Sequence, residues 1–234
     1  MTLFFPLTPL EIEALGLSIR VSAWAVLGSL VPGIAVAWVL ARKQFLGKTL
    51  LDVLVHLPLV VPPVVTGYTL LVLMGRQGIV GKWLYAITGA SFAFNWKGAA
   101  LASAVMAFPL LVRAVRLSIE SVDPGLEEAA HTLGAGRIDT FFTITLPLIL
   151  PGIITGVILA FARSLSEFGA TITFVSNIPG ETRTLPIALY SMTQVPDGEA
   201  GALRLGIIAV AVSRCALVCS EGLSRWMNHR IRGE

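Results

Sequence analysis

Hydrophobic positions in this chain fall in long runs, and polar positions gather between them. A bilayer core needs about 20 apolar residues in helical form. Val21 to Leu40 is uncharged and of that length. Leu50 to Met74 fits if its first residues, with Asp52 and His56, lie near a membrane face. Gly98 to Val112 is shorter and reaches span length when extended at both ends. Thr145 to Ala162 is a further run, and Leu205 to Leu223 is the last, interrupted by Arg214. The pattern predicts an all-α integral membrane protein with about five transmembrane helices. Arg163 to Ala202 is intermediate, apolar from Ala170 to Val175 and polar afterwards, and reads as a re-entrant or interfacial segment. No tandem repeat, low-complexity tract or linker divides the chain, so residues 1–234 are expected to form one transmembrane domain.

Composition supports this class. The chain is 55% hydrophobic and 13% charged, with a mean hydropathy of +0.81, whereas soluble domains carry about 25% charged residues. The formal charge of +3 is small and dispersed, which excludes the basic stripe of a nucleic-acid binder. Cys215 and Cys219 stand four apart in an apolar run. Without further Cys or His nearby they read as buried helix residues rather than a metal or redox pair. The first residues lack a basic segment and a small-residue cleavage site, so no cleavable signal is expected. With the N-terminus placed outside, nine basic residues fall in inside segments and five in outside ones. That bias puts the loop around Glu128 and the C-terminus in the cytoplasm.

The loop from Asp123 to Pro147 is charged and glycine-interrupted in an otherwise apolar chain. Asp123-Pro124 is a helix start, since Asp accepts from free N–H groups and Pro suits the first helical position. Glu127 and Glu128 fall in the first turns, where the helix dipole favours them. Gly134 and Gly136 supply the backbone freedom that ends the helix. A second short run, Arg137 to Thr145, leads to Pro147. The loop is thus expected to be two short helices joined by a glycine bend, rigid enough to transmit a push. Leu46-Gly47-Lys48-Thr49 resembles the tail of a phosphate-binding loop, but the required first glycine is Arg42. Nucleotide binding in this chain is rejected on that ground.

Two unusual stretches stand out within the apolar runs. His56 to Tyr68 holds Pro58, Pro62, Pro63, Thr66 and Gly67 within one run. Irregular backbone at membrane depth is tolerated where it is buried in protein or lines a cavity, so a packing kink and a pore lining both fit. His56 lacks a ligand cluster and reads as interfacial. The second stretch, Arg163, Ser164, Ser166, Glu167 and Thr171, sets an acid four residues after a base. A structural ion pair and a set of donors for a passing anion are both consistent with it. Gly152 and Gly156 form a GxxxG spacing that permits close helix contact.

The loop reads Glu128-Ala129-Ala130, three residues, Gly134, nine residues, then Ile144, Leu146 and Pro147. This spacing resembles the signature cytoplasmic loop of bacterial ABC-importer permeases at every fixed position. Two further stretches, His56 to Tyr68 and Phe161 to Tyr190, with AHTLGAGR from Ala130 to Arg137, resemble the molybdate, tungstate and sulfate branch of that family, molybdate most of all. The resemblance implies an ABC-importer permease fold with a coupling-helix loop at about 123–147. It implies that Glu128, Ala129, Ala130, Gly134, Arg137, Ile144, Leu146 and Pro147 engage a cytoplasmic ABC ATPase subunit that binds the ATP. The permease would be non-catalytic and hold no cofactor or metal of its own. Two copies would form the pore in the lipid of the cytoplasmic membrane. A periplasmic or surface binding protein would deliver the molybdate. Pro62, Pro63, Thr66, Arg163, Ser164, Ser166, Glu167 and Thr171 are the expected path residues. A sulfate or tungstate permease remains the alternative within the class. An ATP-independent secondary transporter and an intramembrane hydrolase are the alternatives outside it. The first would show inverted repeats, and the second would need paired catalytic groups; neither signal is present in the sequence.

Overall fold

The computed structural model describes residues 7–89 and 91–232, leaving out the side chains at 88, 216, 217, 219–221 and 223–232. The described residues are helical with connecting turns and contain no strand. Helix α1 (Pro9–Arg42) begins with a reciprocal cap: the Thr8 hydroxyl accepts from the Glu11 N–H, and Glu11 Oε2 accepts from the Thr8 N–H. It packs along α5 (Trp96–Glu120), which in turn packs along α8 (Leu146–Leu165). These three helices form the scaffold. Their buried seam holds Val26, Leu40, Leu111, Val115, Ile119, Ile149 and Ile153. Small residues let them approach closely. A Cβ on Gly156 would meet Leu111 Cδ1 at 2.9 Å, and one on Gly152 would meet Ser118 Cβ. The GxxxG spacing therefore marks the α5–α8 contact.

The expected second span is broken. Helices α2 (Lys48–Val60) and α3 (Pro63–Met74) meet at a 115° bend. The cause is local. Val61 and Pro62 each precede a proline, which disfavours helical backbone, and both adopt ψ near 135°, at 136° and 134°. Three helices or continuous helical segments, Pro9–Arg42, Trp96–Glu120 and Arg137–Leu165, are long and apolar enough to span a membrane; the bent pair makes up to four. The fifth expected span lies within α11 (Glu199–Arg232), and most of its side chains beyond Cys215 lie outside the described residues, Cys219 among them. Cys215 is a free, exposed thiol. Short α4 (Ile79–Thr88) follows α3.

The intermediate region resolves into short helices, α9 (Gly169–Val175) and α10 (Leu185–Thr193). Helix α9 is buried through Ala170, Thr171, Phe174 and Val175. It presses against α3 so tightly that a Cβ on Gly67 would fall on the Ala170 carbonyl. Between α5 and α8 the chain forms α6 (Pro124–Thr132), α7 (Arg137–Thr140) and a π-helical turn, Phe141–Thr145.

Candidate functional site

The loop between α5 and α8 is built as a rigid bracket. Asp123 caps α6 by accepting from the Gly125 N–H at 2.9 Å, with Pro124 in the first turn. The helix ends in a Schellman turn. Gly134 adopts a left-handed φ of +89°, and the Ala135 N–H donates back to the Ala130 carbonyl at 3.0 Å. Gly136 then precedes α7. The second run does not end as a separate helix. It passes through the π turn, where the Leu146 N–H donates to the Phe141 carbonyl, directly into α8. Pro147 has no N–H to give its fourth-preceding carbonyl, and its ring would crowd that carbonyl in an α turn. A π turn placed just ahead of it relieves both problems. The outcome is one helical bar, Arg137–Leu165, running from the loop into the scaffold.

The signature positions divide between tip and root. Glu128, Ala129, Gly134 and Arg137 are exposed, and Ala130 is buried beneath them. Ile144 and Leu146 are half-buried, and Leu146 packs on the scaffold core. Pro147 is exposed in the first turn of α8. Beside them stand apolar side chains that the motif does not name: Leu133 is 89% exposed, Ile138 76% and Phe142 60%. Large apolar groups are thus displayed to solvent on a capped loop, an arrangement that marks interaction sites in other proteins. Their sequence signal was the presence of apolar residues inside a charged loop.

The root is held by Glu127. Its Oε1 accepts from Arg42 Nη2 at 2.9 Å and from the Thr145 hydroxyl at 2.8 Å. The end of α1, the first turn of α6 and the π turn thus converge on one oxygen. Trp38 and Phe141 pack edge to face beside it, ring centroids 5.5 Å apart. A second ionic cluster ties the same end of the bundle: Arg116 on α5 reaches Asp52 on α2 at 3.1 Å and Glu120 at 2.8 Å. His56 Nδ1 lies 2.8 Å from the Asp52 carbonyl oxygen and is a satisfied histidine. No group of three metal-binding side chains occurs among the described residues.

The expected path residues lie at the opposite end of α8 and at the α2–α3 break. Arg163 pairs with Glu167 at 2.7 Å, and the Glu167 side chain is only 1% exposed. The other Glu167 oxygen accepts from the Ala170 N–H at 2.8 Å, holding the start of α9. Thr171 is buried and donates to the Phe168 carbonyl at 2.8 Å. Ser166 is exposed and donates to the Arg163 carbonyl at 3.1 Å. Ser164 is buried with no hydrogen-bond partner for its hydroxyl. Pro62 is exposed, while Pro63 and Thr66 are half-buried. Close packing of Gly169 on Pro63 joins the two stretches, since a Cβ there would meet Pro63 Cβ at 2.8 Å.

Apolar helices long enough to cross a membrane, joined by a helical loop with exposed apolar side chains, define a multi-pass membrane protein. The chain belongs to the family of binding-protein-dependent transport system inner membrane components, whose model matches residues 33–233. It is 62% identical over 224 residues to the molybdenum transport system permease protein ModB of Escherichia coli K12, covering 96% of this chain and 98% of that protein. It is 57% identical over 222 residues to ModB of Haemophilus influenzae, covering 95% and 97%. Among solved structures, a bacterial ABC transporter that imports the acidic polysaccharide alginate matches with a TM-score of 0.72 at 19% identity, covering 94% of this chain and 80% of that one. The chain is a multi-pass inner-membrane protein with the fold of an ABC-importer permease.

Proposed function

We propose that this chain is the membrane-spanning subunit of an ATP-driven importer of molybdate. The observation that carries the reading is the bracket between α5 and α8, capped at both ends of α6 and apolar at its tip. Three large side chains left in water, Leu133, Ile138 and Phe142, each stand to gain about 1.5–3 kcal/mol when a partner covers them. The partner is a cytoplasmic ABC ATPase subunit, which binds and hydrolyses the ATP; this chain is a non-catalytic permease. Glu128, Ala129, Ala130, Gly134 and Arg137 form or support the docking surface, and Ile144, Leu146 and Pro147 seat it on α8. Molybdate as cargo is supported by the similarity to the ModB proteins over nearly the full length of both chains.

Two copies of the chain form the pore, and a binding protein delivers the oxyanion to the outer face. The N-terminus lies outside and the bracket and C-terminus in the cytoplasm, as the distribution of basic residues favours. The break at Pro62 and Pro63, Thr66, and the Arg163–Thr171 stretch with Ser164, Ser166 and Glu167 border the path. The test is labelled molybdate uptake in cells lacking this chain and then supplied with it. Restored uptake that excess sulfate barely reduces is the expected result. Restored uptake that sulfate abolishes would assign a sulfate permease, and competition by tungstate at equal concentration would broaden the cargo to both metals.

A further inference from the structure

We infer that Glu127 is the positioning residue through which movement of the docking bracket reaches the scaffold, a role that rests on the importer reading above. Helix α6 is otherwise lightly held. Ala130 is its one buried residue, and its packing runs to α7 and the π turn. Its side-chain tie to the rest of the protein is the Glu127 carboxylate. One oxygen of that group takes two donors, Arg42 at 2.9 Å and Thr145 at 2.8 Å.

The geometry makes this a three-way clamp. Arg42 closes the last turn of α1 and lies 5.7 Å from the Trp38 ring centroid. Thr145 is buried in the π turn, at the point where the bracket becomes α8. A push on Leu133 or Ile138 turns α6. Without the clamp, the push is taken up at the junctions of α6, near Ser121 and Gly134, before it reaches α1. With it, the same push drives α1 and the root of α8 together. Charge-assisted hydrogen bonds are shorter and stronger than neutral ones, and a clamp made of them at a protein–water boundary resists shear without being permanent. Glu128, the motif residue next to it, is exposed, whereas Glu127 is half-buried at the link. The adjacent acids thus divide the work, one facing the partner and one facing the scaffold.

The test uses the complete transporter, this chain with its ATPase subunits and loaded binding protein, in proteoliposomes. Labelled molybdate imported per ATP hydrolysed is measured beside the amount of ATPase subunit that co-purifies. Glu127→Gln is expected to lower import per ATP at least threefold with the ATPase subunit bound at its normal ratio. Thr145→Val is expected to act in the same direction and less. The swap Glu127→Arg with Arg42→Glu is expected to recover a good part of the loss. Import per ATP unchanged in Glu127→Gln, or lost only in step with ATPase binding, would overturn the clamp. A second readout does not depend on cargo. Spin labels placed at Thr132→Cys on α6 and Leu46→Cys just beyond α1, with the native cysteines replaced, report the distance between bracket and α1 end. Glu127→Gln broadens that distance distribution if the clamp positions α6, and an unchanged width contradicts it. A doubly labelled complex with Glu127 intact that hydrolyses ATP, shows the narrow distribution and imports no molybdate would leave the clamp standing and overturn the cargo.

Discussion

At the residue scale the charged and left-handed positions carry the sharpest expectations. Gly134 sits at φ +89° with open space around its Cβ direction. Gly134→Leu therefore strains the backbone by about 1–2 kcal/mol without clashing inside the chain, and it places a bulky group beside the docking tip. The protein is expected to insert normally and to lose uptake; normal uptake and normal ATPase association would remove Gly134 from the coupling surface. Arg163→Ala leaves Glu167 charged, buried and unpaired, which costs about 3–5 kcal/mol. The double change Arg163→Ala with Glu167→Gln should recover most of the melting temperature. Import that stays low in the recovered protein assigns Arg163 to the path, whereas import at the wild-type rate makes the pair purely structural. The motif residues were legible in the sequence because their spacing is local. The Glu127–Arg42 pair was not: its partners are 85 positions apart, and the position of Glu127 in a first helical turn already had an explanation in the helix dipole.

At the scale of elements, the apolar runs located the scaffold because a bilayer imposes length and hydrophobicity on any helix that crosses it. Extension of Gly98–Val112 at both ends was expected, and α5 runs from Trp96 to Glu120. Two features needed three dimensions. The proline pair was visible, but hydropathy registers no direction, so a 115° break looks the same as a straight span. The second loop helix merged into α8 because the π turn absorbs Pro147, an adjustment no periodicity reports. Close approach also depends on tertiary partners: Gly67 and Gly169 lie far apart in sequence and seal the α3–α9 contact. Gly67→Val is expected to destabilise this contact by about 1–3 kcal/mol or more, since the obstacle is backbone. A lower melting temperature in detergent with α1–α5–α8 contacts preserved would be the sign, and an unchanged melting temperature would mean the contact opens in solution.

On the scale of the whole molecule, the bracket and the scaffold form one mechanical train. Docking strength and transmission separate along it. Leu133→Asp removes about 1.5–3 kcal/mol of apolar burial, which corresponds to a loss of about ten- to a hundredfold in ATPase-subunit affinity, readable by co-purification. The proposed Glu127 clamp is expected to act after docking and to leave that affinity intact. The proposed path residues Arg163 to Thr171 lie at and beyond the other end of α8, so a signal entering at the π turn would travel the length of that helix before it meets Arg163, Glu167 and the α3–α9 seal. The most direct measurement is molybdate accumulation in proteoliposomes holding the whole transporter, with loaded binding protein on one side and ATP confined to the side of the bracket. Accumulation that requires hydrolysable ATP there, and stops with a non-hydrolysable analogue, is the predicted result. Accumulation without ATP, driven by an ion gradient alone, would contradict it and make the protein a secondary transporter.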